Sequence, residues 1–155
     1  MRCNVCEFTI EDYKISGLAA PVNKLSKDIG GFREIIEPEA FYNVLESNPL
    51  VIAVVNHSRD AQDVLGSTES GTLQLIATER GLEFNLDVAK TSRGADIIEL
   101  IKRDDVNKMS FSFVVKSDSW TPYGREMIRT IHEFETLTDI SIVVNPAYDE
   151  TEITV

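Results

Sequence analysis

A serine hydroxyl is a poor nucleophile at its own pKa and needs a neutral imidazole beside it to take its proton. The chain has two histidines, His57 and His132, so any such base is one of these two. His57 follows the most apolar run of the sequence, residues 50–55, and so stands at a strand end, where functional side chains commonly gather. His132 alternates with Arg129, Glu133 and Glu135 nearby and reads as a surface residue of a charged strand. The serines best placed for a nucleophile's role are Ser110 and Ser112, which alternate with Met109, Phe111, Phe113 and Val115. That period of two describes a strand with one apolar and one hydroxyl face, a rigid platform for a reacting group. A strand step separates the two hydroxyls by ~6–7 Å, so one imidazole is expected to meet only one of them. Asp139 opens the last strongly apolar strand and could fix an imidazole's tautomer and stabilise its charged form. Each residue also has an ordinary reading: a solvent-face serine, a histidine satisfied by a turn, an aspartate solvated at a strand start. Spacing alone favours the ordinary readings.

Other chemistries are poorly supplied. Cys3 and Cys6 form a C-x-x-C pair, but a zinc ribbon needs a second pair and a redox motif a helix N-terminus. They read as a reduced feature of a frayed end. There is no G-x-S-x-G elbow and no H-E-x-x-H, and residues 66–72 have the glycine spacing of a phosphate loop without its lysine, hence a turn. No metal and no cofactor is expected. A net charge of −11 argues against nucleic acid or an anionic membrane as a partner. The longest apolar run, residues 50–55, falls far short of the ~20 residues that span a bilayer. The N-terminus lacks a basic-then-apolar signal pattern, which points to an intracellular protein.

The elements that must position these residues follow from pattern. With 155 residues, 43% hydrophobic and 26% charged, the chain suits one domain over residues 1–155, residues 1–8 being a frayed segment. Residues 7–20 read as extended, 22–31 as a loop and 32–36 as a short strand. Pro38 opens a short amphipathic helix carrying Ala40, Phe41, Val44 and Leu45, which Asn48-Pro49 ends. Residues 50–55 are a strand buried on both faces, and 72–77 with 82–89 form a hairpin about Glu79-Arg80-Gly81. Residues 58–71 read as polar and turn-rich. Thr91 or Ser92 caps a helix reaching about Arg103. The serine strand is followed by a loop through Trp120, Pro122 and Gly124, then by strands at 127–134 and 139–144. Seven or eight mostly antiparallel strands with two helices predict an α+β fold, mainly β, built as a barrel or sandwich.

Several blocks, in this order, resemble the prohead serine protease family of tailed phages. They are Gly17-Leu18-Ala19-Ala20-Pro21-Val22-Asn23, the segment from Phe32-Arg33-Glu34 to Pro38-Glu39-Ala40-Phe41, and Asn56-His57. Leu65-Gly66-Ser67-Thr68 with Ser70-Gly71-Thr72-Leu73 follows, then Met109-Ser110-Phe111-Ser112-Phe113, then Asp139-Ile140-Ser141-Ile142-Val143 with Pro146-Ala147-Tyr148. The resemblance runs from about Ile15 to Thr151. It implies a distorted closed β-barrel with flanking helices, similar to herpesvirus assemblin. It also implies a serine protease with Ser110 as nucleophile, His57 as general base and Asp139 as orienting carboxylate. Asp139 stands where many family members have Glu, one methylene longer, and Ser112 stands where the pattern has Gly.

The implied substrates are the scaffold protein, or the scaffold-like segment of the major capsid protein, and the protease itself. The implied place is the assembling prohead in the bacterial host cytoplasm. An oxyanion hole is required, for which backbone N–H groups at residues 146–149 are the candidates. Self-association into a homo-oligomer is compatible with this reading. The alternative from another class is a catalytically silent scaffolding or capsid-binding module of the same fold; its mark would be loss of Ser110 or His57. Because the resemblance stops near Thr151, the chain is expected to be a catalytic core, left by self-cleavage or cut by design, with any packaging tail outside it.

Overall fold

A computed structural model describes residues 13–154; Cys3, Cys6, the start of the expected 7–20 strand and Val155 lie outside them. In chain order the elements are β1 (Lys14–Pro21), β2 (Phe32–Ile36), α1 (Pro38–Glu46), β3 (Ile52–Val55), a 3₁₀ turn (Ala61–Asp63), β4 (Val64–Ser67), β5 (Leu73–Thr78), β6 (Gly81–Asp87), α2 (Ser92–Lys102), β7 (Lys108–Tyr123), β8 (Glu126–Val143) and β9 (Glu152–Thr154).

The strand pattern organises itself around β8. β7 runs antiparallel along it from Lys108↔Val143 to Tyr123↔Glu126. The other edge of β8 is shared: β2 pairs parallel with its first half and β3 parallel with its last. β4 adds to β3, completing a five-stranded sheet, and β5-β6-β1-β9 form a second sheet of four. Two expectations are corrected here. The loop expected through Trp120 and Pro122 is strand up to a turn at Gly124-Arg125, and the strands expected at 127–134 and 139–144 are one. Pro122 is compatible with a strand because among the described residues β7 pairs only with β8, so on its other edge a missing N–H removes no ladder bond. The strands are mostly antiparallel as expected, five of the seven pairings among the described residues being so, but β2 and β3 both run parallel to β8, which makes the five-stranded sheet mixed.

The closed barrel is corrected as well. Among the described residues the two sheets are not joined into one ladder. Side chains take over at both seams. Met109 N donates to Thr151 Oγ1 at 3.0 Å where β7 nears β9, and Ser67 N donates to Thr72 Oγ1 at 2.9 Å where β4 nears β5. A single main-chain bond, Ala89 N to Leu65 O at 2.9 Å, ties β4 to the end of β6. The second of these seams is also the turn that the glycine spacing of residues 66–72 suggested.

The core lies between the sheets and α1. Phe41 of α1 meets Phe111 of β7 and Phe134 of β8, with ring centroids 5.7 and 5.1 Å apart, and Phe113 stacks on Phe111 at 4.7 Å. Burying these rings fixes the apolar face of β7, and truncating one to alanine would cost about 3–5 kcal/mol. α1 begins at Pro38, where a missing N–H costs nothing, and stops at Asn48, whose φ of 53° ends the helix before Pro49. α2 is capped by Thr91, whose hydroxyl accepts from Gly94 N, and it buries Ile97, Ile98 and Ile101. The β5–β6 hairpin turns at Glu79-Arg80. At Gly81 (φ 140°) a β-carbon would lie 2.0 Å from Ala20 O, so only glycine fits.

Candidate active site

The outward face of the five-stranded sheet carries the chemistry. β8 alternates Ile140 and Ile142 into the core with Asp139 and Ser141 outward, and β7 alternates Met109 and Phe111 with Ser110 and Ser112. Register sets Ser110 opposite Ser141 and Ser112 opposite Asp139, four polar side chains in a two-by-two array. His57 reaches this array from β3. The parallel pairing of β3 with β8 ends at Val55↔Ile142, Asn56 N donates to Ile142 O at 2.9 Å, and the chain then turns back. Asn56 and His57 both have left-handed backbones (φ 56° and 55°), and Ser58 N donates to Val55 O at 3.1 Å, the pattern of a type I′ turn. Asn and His are among the few residues with a β-carbon that visit this region readily.

The turn sets the imidazole between carboxylate and hydroxyl. His57 Nδ1 lies 2.8 Å from Asp139 Oδ1, and His57 Nε2 lies 3.1 Å from Ser110 Oγ. An ionised carboxylate only accepts, so Nδ1 carries the proton and Nε2 is left as the acceptor for the Ser110 O–H. Asp139 is 2% exposed while the His57 side chain is 37% exposed, so the carboxylate is shielded and the imidazole remains open to a substrate. Beyond the turn, Ser58 donates to Asp63, and Arg93 of α2 lies 2.7 Å from the same carboxyl. The Ser58 hydrogen bond, with Arg93 adding, holds the Asp63 carboxyl below its usual range. The loop after His57 is thereby tied to α2.

Two contacts were not expected from the sequence. Ser112 Oγ is 3.0 Å from His57 Nδ1, so one imidazole meets both strand serines, one at each nitrogen. With the proton on Nδ1, Ser112 accepts a share of it beside Asp139. His57 N donates to Ser141 Oγ at 2.7 Å. The alternation of residues 139 and 141 was visible, but their meeting with residue 57 depends on the parallel β3–β8 pairing, which local pattern does not reveal.

His132 is not an isolated surface residue. Its Nε2 lies 2.9 Å from Ser119 Oγ and its Nδ1 2.9 Å from Glu37 Oε2, a second hydroxyl–imidazole–carboxylate chain across β7, β8 and the start of α1. The two chains match in distance and differ in setting. The Glu37 side chain is 42% exposed and Ser119 is exposed, whereas Asp139 is buried and Ser110 half-buried.

A cleft of about 260 Å³ beside β7 is lined by Met109, Phe111 and Phe113 as well as Ser110, and by Ala19, Phe32 and Tyr148, with Glu34 and Arg129. Tyr148 donates to Glu34 Oε1 at 3.0 Å, and Arg129 lies 3.7 Å from Oε2. Burial nonetheless pushes the Glu34 carboxyl above its usual range, and burial together with the Glu34 charge pushes the Tyr148 phenol up. Among the described residues no three His, Cys, Asp or Glu side chains cluster to hold a metal, and no helix is long and apolar enough to cross a membrane.

Comparison with known proteins returned no matching curated protein and no matching solved structure. The model of one family matches residues 4–155, almost the whole chain. This protein belongs to the caudovirus prohead serine protease family, the serine proteases of phage capsid maturation.

Proposed function

We propose that Ser110 is the nucleophile of this protease, His57 its general base and Asp139 the carboxylate that orients His57. The observation that carries the reading is the unbroken chain Asp139–His57–Ser110 at 2.8 and 3.1 Å with its carboxylate out of water. In acylation the Ser110 proton passes to His57 Nε2 as Oγ adds to the scissile carbonyl carbon. The tetrahedral adduct then collapses, the C–N bond breaks, and the same proton goes to the leaving amine. Water, deprotonated by His57, repeats the sequence on the acyl-enzyme and frees Ser110. Asp139 keeps the Nδ1 proton in place and stabilises the imidazolium formed in each half. Backbone N–H groups at residues 146–149 are proposed for the oxyanion.

The chain through His132 offers a competing assignment with distances as short. Its solvent-exposed Glu37 favours the His57 set, because attraction between carboxylate and imidazolium is screened by water and strengthened by burial.

The proposed substrates are the scaffold protein or the scaffold-like segment of the major capsid protein, and the protease itself. The proposed place of action is the assembling prohead in the bacterial host cytoplasm. Co-expression with the capsid protein tests this. Wild type should yield an N-terminally shortened capsid protein by mass spectrometry, and Ser110→Ala should leave it full length. Equal shortening with both would refute the assignment.

A further inference from the structure

We propose that Ser141 is a positioning residue for His57, holding the imidazole over Ser110 through the peptide backbone; the inference rests on His57 being the general base. Ser141 is fully buried in β8 between Ile140 and Ile142. A buried hydroxyl needs a hydrogen-bond partner, and this one accepts the His57 N–H at 2.7 Å. It does so where the main-chain ladder runs out. β3 pairs with β8 as far as Val55, Asn56 N still finds the carbonyl of Ile142, and the next N–H is taken by a side chain.

That next residue has to be held. His57 is the second of two consecutive residues with a left-handed backbone, a conformation that His visits more readily than most residues but that still costs more than the right-handed one, so a bond to its N–H helps to hold it. If the backbone of His57 relaxed toward negative φ, its β-carbon and ring would swing as a unit. Asp139 fixes the ring at Nδ1 but does not fix the α-carbon from which the ring hangs. Ser141 fixes that end. Both anchors sit on one face of β8, one strand step apart, and Ser110 faces Ser141 directly across the β7–β8 ladder. One pair of strands therefore sets the nucleophile, the ring and the backbone beneath the ring. An ångström of misplacement between reacting groups costs about a hundredfold in rate, so loss of this bond should appear in the chemical step and not in binding.

The test is the rate at which a fluorophosphonate probe labels the full chain, measured against probe concentration. Ser141→Ala should lower the limiting labelling rate about ten- to a hundredfold, with half-saturation unchanged and a cooperative melt retained. The low-field NMR signal of the proton on His57 Nδ1 should broaden or vanish in that variant, although Asp139 is untouched. Should Ser141→Ala fail to fold, Ser141→Cys takes its place with the same expected outcomes, since sulfur accepts only weakly. A limiting rate and a proton signal equal to wild type would overturn the proposal. So would a change confined to half-saturation, which marks an altered surface and not a displaced base. Ser110→Ala runs alongside: if it still labels, the assignment of the nucleophile fails, whatever Ser141→Ala shows.

Discussion

Replacing Asp139 by asparagine separates orientation from packing, because the two side chains have nearly the same shape. The amide can turn its NH₂ toward His57 Nδ1, which drives the ring proton to Nε2 and leaves Ser110 facing a nitrogen that no longer accepts. In a serine–histidine–aspartate triad where the carboxylate is the sole partner of Nδ1, that exchange costs ~10⁴ in rate. Here Ser112 Oγ stands 3.0 Å from the same nitrogen as a second acceptor, so part of the productive tautomer survives. The expected loss for Asp139→Asn is therefore ~10²–10³, or roughly 3–4 kcal/mol of barrier, and smaller than for Ser110→Ala or His57→Ala. Removing the second acceptor as well, in Asp139→Asn/Ser112→Ala, should bring the loss to ~10⁴, while Ser112→Ala alone costs less than about tenfold. The assay is the fluorophosphonate labelling rate at fixed pH, with melting curves as the control for folding. A double variant within tenfold of wild type would refute the reasoning, since neither partner of Nδ1 would then be orienting the base.

Exchange of the histidines distinguishes the two hydroxyl–imidazole–carboxylate chains. His57→Ala should slow labelling by several orders of magnitude and His132→Ala by less than about tenfold, and the reverse ranking would move the active site to Ser119. Burial raises the Glu34 carboxyl, so the folded protein keeps a proton that the unfolded chain releases. That contribution favours folding at low pH and is lost as pH rises through the raised value. The melting temperature of wild type minus that of Glu34→Gln should accordingly fall as pH rises from about 4.5 to neutrality, and a flat difference would show that burial does not govern this group.

Much of this was legible from residues in their local order. Alternation at 109–115 and 139–144 assigned the correct faces to Ser110, Ser112 and Asp139, because an apolar core holds a period of two in register. Pro38, Thr91 and the Asn48-Pro49 pair marked helix ends through backbone chemistry that acts over three or four residues. What escaped was non-local. Pro122 and the polar residues around it read as a loop, since sequence does not say that, among the described residues, β7 pairs only with β8. β4 was missed because four residues containing a glycine make too short a pattern. The parallel placement of β2 and β3 on one edge of β8 has no local signature, and with it went the contact of Ser141 with His57 and the Ser119–His132–Glu37 chain. The closed barrel came from family resemblance, and open seams bridged by Thr151 and Thr72 side chains replace it.

The central claim is that Ser110, and not Ser112 or Ser119, is the activated hydroxyl. Wild-type protein labelled with a fluorophosphonate, digested and mapped by mass spectrometry, answers it at the level of one residue. The expected result is a single adduct on Ser110, absent from His57→Ala and unaffected in His132→Ala. An adduct on Ser119, or on Ser112 with Ser110 unmodified, would contradict the account.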